Sequence, residues 1–484
     1  MDVLVTFLKD VLHLSSAPAG TDTGVGTQQQ SAGDSDLPLW QPEIPLSKEP
    51  SQSWVTMTEL VLPSHCDGRG FCLGGTVLSW IDISAGIAAK KHGVYPAVTR
   101  SVDAVHFLGP ITTQNIVIIQ ASVNRAWKTS MEVGVRVMTE DLLSTNRRYC
   151  CHAYLTFVAL SQPPLMTLKP SLPQVPSQQT PQQQPSQDVA ASRAVLFNSP
   201  AARRYSFSLP SAKSGSKKNE GLNQQSIQLP AIEPVTPIEM ERYIMAQSRR
   251  ESRLQQSKEA KEEQDQLLSD VRDQMRRWNV GQINSSKLKL PPSEEDRTPR
   301  IAMQATFAES AQLVLPQHAN SLSITFGGQV MKWMENVAAV SASRFARVSI
   351  VTASIDSLQF HRKTMIGDCL TMRSVVTRVF RSSMEVYVFV DSENLVNGKQ
   401  TFTNEAFFSM VALQPSPSIQ PMKSRLPCLV PGSELEQALS DAGERRRVKR
   451  LEQRRELAER ETRFLVHSPS IERTNAMEYT DQRN

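Results

Sequence analysis

At 484 residues, 39% of them hydrophobic, the chain is long enough for two hydrophobic cores, and no apolar run reaches the roughly 20 residues that a bilayer span needs. A formal net charge of +5 is too small for this length to point to nucleic acid, though it suits a small polyanionic ligand. The six cysteines, Cys66, Cys72, Cys150, Cys151, Cys369 and Cys428, show no C-x-x-C or Cys/His ligand spacing, so no metal site is expected.

In chain order, residues 1–50 read as a flexible N-terminal segment. Its start, MDVLVTFLKDVLHLSS, is amphipathic, but Asp2, Asp10 and the lack of Arg argue against a secretory signal or a mitochondrial transit peptide; it is read as a short helix or a frayed end. Residues 51–163 form a first domain. TMTELVLP is a lead strand, and GGTVLSWIDISAGIAAKKHG then places Val77, Trp80, Ile81, Ser84, Ile87 and Ala88 on one helical stripe. Four strands rich in Val, Ile and Thr follow, the last carrying Cys150 and Cys151, read as inert packing.

Residues 164–232 are rich in Pro, Gln and Ser and are expected to be a disordered linker; within it, Arg203-Arg204-Tyr205-Ser206 has the form of a basic-directed kinase site on Ser206. Order resumes over 233–280, a charged helix with Thr236 as its cap, Pro237 at the first helical position and Glu239 completing a capping box. A second domain occupies 300–415, and 416–484 is a charged helical tail. The charges of both helical stretches read as solvated faces lying on the globular body, with a partner or ligand-phosphate surface as the alternative.

The two domains are copies of one another. LVLP recurs at Leu60 and Leu313, an offset of 253 that then runs without a gap through Gly74-Gly75 and Gly327-Gly328, Trp80 and Trp333, and the two SMEV tetrads at Ser130 and Ser383. A duplicated domain of this size commonly packs as a built-in dimer with a site at the joint. The paired glycines, Gly74, Gly75, Gly327 and Gly328, either offer free helix-start amides as an oxyanion hole, around Gly75 or Gly328, or let the helix pack closely. Asp82 and Glu335 each lie seven residues beyond the second glycine. An acid on a core-facing stripe lines a cavity, or else caps backbone amides of the other copy.

The motifs HAN at His318, FGGQVMKWME at Phe326, LSWIDISAGIAAKKHG at Leu78, VTASIDSLQF at Val351 and NRAWKTSMEVGVRVMTEDLL at Asn124 resemble those of the double-hotdog acyl-coenzyme A thioesterases, in the branch that includes the brown-fat-inducible thioesterase and the cytosolic acetyl-CoA hydrolase. The resemblance implies an α+β fold of tandem hotdog domains, each an antiparallel sheet wrapped around a central helix. It implies hydrolysis of acyl-CoA to free fatty acid and coenzyme A, with no cofactor beyond the coenzyme A of the substrate. Asp82 is then the general base or nucleophile and Asn320, from the facing copy, orients water or the thioester carbonyl. The other composite site, Asp67 with Glu335, has two acids where the family pattern has one amide and one acid, and is expected to be inactive. His65 and His318 are read as structural.

By the same resemblance coenzyme A contacts Arg100, Ser101, Val102, Thr129, Ser130, Met131, Phe360, His361 and Arg362, with Arg249 or Arg250 suited to phosphate or adenine. The chain is expected to be cytoplasmic and to assemble as a trimer of double hotdogs. About seventy residues follow Leu413, too few for the lipid-binding START domain of vertebrate members. Two other classes stay open: a hotdog hydratase or dehydratase, which needs a His and Asp in one site, and a catalytically silent acyl-CoA sensor or interaction scaffold.

Overall fold

The computed structural model describes residues 45–144, 146–160, 228–255, 258–278, 289–290, 298–413 and 426–466. The expectations for the N-terminal helix, for Ser206 and for most of the linker lie outside the described residues.

The first copy runs β1 (Val55–Leu60), α1 (Gly74–His92), β2 (Ala97–Val102), β3 (Val105–His106), β4 (Asn115–Ala126), β5 (Ser130–Asp141) and β6 (Arg147–Ala159). Helices α2 (Pro237–Gln255) and α3 (Lys258–Arg276) follow, within the stretch expected to be a charged helix. The second copy is β7 (Ala308–Leu313), α4 (Gly327–Ala346), β8 (Ser349–Ile355), β9 (Leu358–Gln359), β10 (Asp368–Val379), β11 (Ser383–Asn394) and β12 (Lys399–Leu413), and α5 (Glu434–Val466) lies in the tail.

The strands form because alternate residues face a helix. In β4, Val117, Ile119, Ala121 and Val123 are buried, and in β5 so are Met131, Val133, Val135 and Val137; these rows pack in one core with Leu78, Ile81 and Ala85 of α1. Fully burying a side chain such as Ile81 contributes about 1.5–3 kcal/mol. Ile87, expected on that buried stripe, is 42% exposed, because its side of α1 opens onto a cavity.

The sheets are ordered β9-β2-β6-β5-β4-β1 and β7-β10-β11-β12-β8-β3, so each copy lends the other a two-residue edge strand. Leu358 pairs with Val102 and Gln359 with Ser101; Ser354 pairs with His106 and Ile355 with Val105. This is a hotdog pair joined at one edge of each sheet, as the α+β reading had it. The bulges repeat too, between Thr99 and Ser101 in one copy and Thr352 and Ser354 in the other.

The end of the expected linker is part of the folded body. Leu229 and Ile232 are buried, and Ala231–Ile232 pairs in parallel with Ser47–Lys48 of the N-terminal segment. Likewise Cys428–Val430 of the tail pairs in parallel with Arg300–Ala302.

Both arginine-rich helices lie on the globular body as expected and keep many charges exposed, but two arginines of each dock through the same set of groups. On α2, Arg249 donates to Glu132 at 2.5 Å and lies over the Tyr154 ring, and Arg253 bridges Glu132 and Asp103. On α5, Arg446 donates to Glu385 at 2.6 Å and lies over the Phe407 ring, and Arg450 bridges Glu385 and Asp356. Each partner in one copy is the 253-offset equivalent of that in the other. The arginines are four apart on their helices, hence on one face. Glu132 and Glu385 are fully buried; without Arg450, Glu385 keeps Arg446, but the partly buried Asp356 is left with no ion-pair partner among the described residues. Arg450→Ala is therefore expected to lower stability by about 3–5 kcal/mol, with Arg450→Lys restoring only part of it because one ammonium cannot span two carboxylates as a guanidinium fork does. Chemical denaturation midpoints of the two variants check this.

Candidate active site

Helices α1 and α4 cross antiparallel, the start of each against the middle of the other. A methyl group added to Gly328 would lie 2.7 Å from the Ser79 Cα and 2.8 Å from the Asp82 Cβ; one on Gly75 would lie 2.7 Å from the Lys332 Cα and 2.7 Å from the Glu335 carboxylate. Close approach thus requires glycine at both crossings.

That approach brings each carboxylate onto the other helix's first turn. The Gly328 amide donates to Asp82 Oδ2 at 2.8 Å, and the Gly75 amide to Glu335 Oε2 at 2.5 Å. The second oxygen of each acid is held by a threonine: Thr99 Oγ1 donates to Asp82 Oδ1 at 2.6 Å, and Thr352 donates to Glu335. Asp82 therefore both lines a cavity and caps the other copy's helix start, where the sequence left these as alternatives, while Glu335 caps a helix start without lining that cavity. The expected oxyanion role for the Gly75 or Gly328 amide does not fit, since both already have acceptors. Gly327 lines the cavity beside Asp82, and its amide has no acceptor among the described residues.

Asp82 and Glu335 are 3% and 2% exposed. Burial pushes both carboxyls above the usual carboxylate range, against the opposing hydrogen bonds from Thr99 and Gly328 in one case and from Thr352, Gly75 and Gly74 in the other.

The pre-glycine loops explain how asparagine and aspartate exchange. Asn320 Oδ1 accepts the Leu322 and Ile324 amides at 2.9 and 3.2 Å; Asp67 Oδ1 accepts the Arg69 and Phe71 amides at 2.9 and 3.0 Å. One oxygen holds the turn in either copy. The difference is the remaining atom: an N–H donor on Asn320, a further acceptor on Asp67.

Asn320 and Asp82 line one cavity of about 430 Å³. Ile83, Ile87, Val98, Phe157, Val158 and Val330 make much of its wall apolar, while Lys90, Arg100, Arg362 and Lys363 supply four cations. Lys90, Arg362 and Lys363 have no ion pair among the described residues, and Arg100 donates to the Phe360 carbonyl. Asp67 and Glu335 do not line this cavity.

Of the expected coenzyme A contacts, the structure places Arg100, Phe360, His361 and Arg362 around the cavity. It places the others elsewhere. Val102 and Met131 are buried in the core, Ser101 is buried where β2 meets β9, and Thr129 and Ser130 belong to the β4–β5 hairpin. Arg250 lies over the Trp127 ring and Arg249 is committed to Glu132. His65 and His318 each accept a backbone amide, from Leu62 and Leu315, and meet Trp80 and Trp333 edge-on. Thr99, Lys90 and Lys363 were missed. Thr99 carried a signal, the Thr at the same place in VTRS and VTAS; the lysines have none, since the second copy has Ser343 in the place of Lys90.

The thioesterase superfamily model matches residues 69–145 and again 322–398, two segments separated by the same 253 residues as the internal repeat. A Bacillus subtilis relative, the uncharacterized acyl-CoA thioester hydrolase YkhA, is 35% identical over 142 residues, covering 28% of this chain and 80% of that protein. The chain belongs to the thioesterase superfamily. It is also similar to mouse acyl-coenzyme A thioesterase 11, 29% identical over 399 residues, which is 82% of this chain and 52% of that protein. Mouse cytosolic acyl coenzyme A thioester hydrolase is 23% identical over 403 residues, 81% of this chain and 82% of that protein. The chain thus spans about half the length of mouse acyl-coenzyme A thioesterase 11.

Because Asp82 ionises at higher pH in the folded protein than in the unfolded chain, this group withdraws stability as pH rises from the ordinary carboxylate range through its raised value. Asp82→Asn removes that loss and keeps an acceptor for Gly328. The variant is expected to melt above the parent at pH 8 by on the order of 2 °C, the gap closing as pH falls toward 4; paired thermal melts across pH measure it.

Proposed function

We propose that this protein hydrolyses acyl-CoA thioesters at the joint between its two hotdog domains. The observation that carries the reading is the junction of Asn320, a buried Asp82, an apolar wall and a cationic rim in one cavity. The apolar wall suits an acyl chain, and the rim of Lys90, Arg100, Arg362 and Lys363 suits the phosphates of a nucleotide tail. The Asn320 side-chain amide and the Gly327 amide face the thioester carbonyl as donors. Asp82, oriented by Thr99 and Gly328, removes a proton from water as its oxygen attacks the carbonyl carbon. The tetrahedral oxyanion collapses, the carbon–sulfur bond breaks, and the proton passes to the departing thiolate. Attack by the Asp82 carboxylate itself, through an anhydride that water then opens, uses the same groups.

Further support for one productive site is the absence of a side-chain amide from the Asp67 loop. Assembly into a trimer is part of the proposal. The hairpin tips expose Leu142 and Leu143 in one copy and Leu395 and Val396 at the equivalent places in the other, with Leu143 at 88% and Val396 at 94% exposure, apolar dipeptides that a further contact would cover. A cytosolic location is proposed from similarity to the mouse cytosolic hydrolase.

Thiol release from a panel of acyl-CoA chain lengths tests the activity; binding without release would instead mark an acyl-CoA sensor. Asp82→Asn and Asn320→Ala are each expected to lower kcat by about a hundredfold or more, and Asp67→Ala and Glu335→Gln by far less. If Asp67→Ala abolished release while Asn320→Ala kept it, the sites would be the reverse of those proposed. The base acts deprotonated and its carboxyl sits above the ordinary range, so kcat/KM is expected to fall on the acid side at a pH above that of an ordinary carboxylate, a limb that a pH–rate profile locates.

A further inference from the structure

We propose that Cys66 and Cys72 form a reversible disulfide that ties the loop ahead of α1. The chain turns back on itself there, so that the two cysteines are direct antiparallel cross-strand partners. The Asp67 amide donates to the Phe71 carbonyl at 2.8 Å and the Leu73 amide to the His65 carbonyl at 2.9 Å, bracketing the pair from both sides. This is the non-hydrogen-bonded position of an antiparallel ladder, where the Cα atoms stand about 4.5 Å apart, inside the span a disulfide bridges. The Cys72 thiol donates to the Leu73 carbonyl at 3.7 Å, and both cysteines are partly exposed.

The second copy makes the same turn with Ala319 opposite Thr325. The turn therefore closes without sulfur, and the cysteine pair is a property of the first copy alone. Burial and the Asp67 charge hold the Cys66 thiol above its ordinary value, and burial pushes Cys72 up further. Among the described residues burial outweighs the one cation that favours a Cys72 thiolate, Lys332, so both thiols stay largely protonated and exchange is slow.

The oxidant is a low-molecular-weight disulfide such as oxidised glutathione. The sulfur of Cys66, the less enclosed of the two, attacks a glutathione sulfur and expels one glutathione thiolate. Cys72 then attacks the Cys66 sulfur of the mixed disulfide and expels the second. Two cysteine thiols are oxidised, one glutathione disulfide is reduced to two thiols, and the two protons go to the departing thiolates. Neither cysteine lines the cavity of Asn320 and Asp82. The bond stiffens the Asp67 loop and the start of α1, whose Gly75 amide holds Glu335.

Arg69 lies between the two cysteines, so trypsin reports the bond directly. The full chain is equilibrated with oxidised glutathione, unfolded in iodoacetamide, digested and analysed by mass spectrometry. The expected result is a pair of peptides, cleaved after Arg69 and joined through Cys66 and Cys72, that dithiothreitol separates, together with a melting midpoint several degrees above that of the reduced protein. The double variant Cys66→Ala, Cys72→Thr, which copies the second repeat and should fold as it does, is expected to show neither the joined peptides nor the shift. Recovery of Cys66 only as its glutathione adduct, or of both cysteines fully alkylated after oxidation, would overturn the proposal.

Discussion

The contact on which the rest of this structure depends is a reciprocal one: a buried carboxylate in the middle of each central helix accepts a backbone amide from the first turn of the other. An ionised carboxylate without partners is costly in a core, and the free amides of a helix start are unsatisfied donors that carry partial positive charge. Each helix supplies what the other lacks. Glycine at 75 and 328 follows from this, since any side chain there would meet the backbone of the opposite helix. So does duplication within one chain or association of two: a single copy would bury an unpaired acid and leave a helix start open.

The same contact has a chemical side. By burying Asp82 on two donors, with no ion pair among the described residues, the crossing keeps the carboxyl above its ordinary range, which makes it a better proton acceptor than a surface aspartate. Glu335 shares that environment almost bond for bond. What separates the two positions is therefore the loop opposite and the cavity around it. Asparagine and aspartate serve the loop equally, through one oxygen accepting two amides, so the fold is indifferent to the exchange and only the remaining atom is free to differ in chemistry.

Much of this was legible in the sequence, and the reasons differ by element. The helix stripe and the alternating strands follow from periodicity, and the repeat offset aligned the paired glycines and acids before any contact was known. Ile87 misled because a residue lining a cavity and one lining a core have the same spacing on a helix. Val102 and Met131 have their side chains in the core for a related reason: in a strand, alternation turns every second side chain inward whatever its neighbours line. The docking role of α2 and α5 was hidden because a charged helix that pairs with buried acids has the same composition as a solvated one. Glu132 and Glu385 stood in the repeated SMEV tetrads, yet nothing local marks which cations meet them.

Those two docked helices bear on where the repeat ends. Glu132 and Arg249 are 117 residues apart, whereas Glu385 and Arg446 are 61 apart, so the helices do not obey the 253-residue offset that relates the sheets. Their contacts do obey it: Glu132, Asp103, Tyr154 and Asn124 in one copy answer to Glu385, Asp356, Phe407 and Thr377 in the other. The duplicated unit is therefore larger than the sheet and its central helix; it includes a following helix whose paired arginines close the outer face. The extra residues between sheet and helix in the first copy lie mainly in the Pro/Gln/Ser-rich stretch, an insertion whose length costs little entropy to close once its ends are fixed by packed elements. Buried ion pairs with fixed geometry tolerate such an insertion because they specify the docked position of the helix and not the path of the chain leading to it.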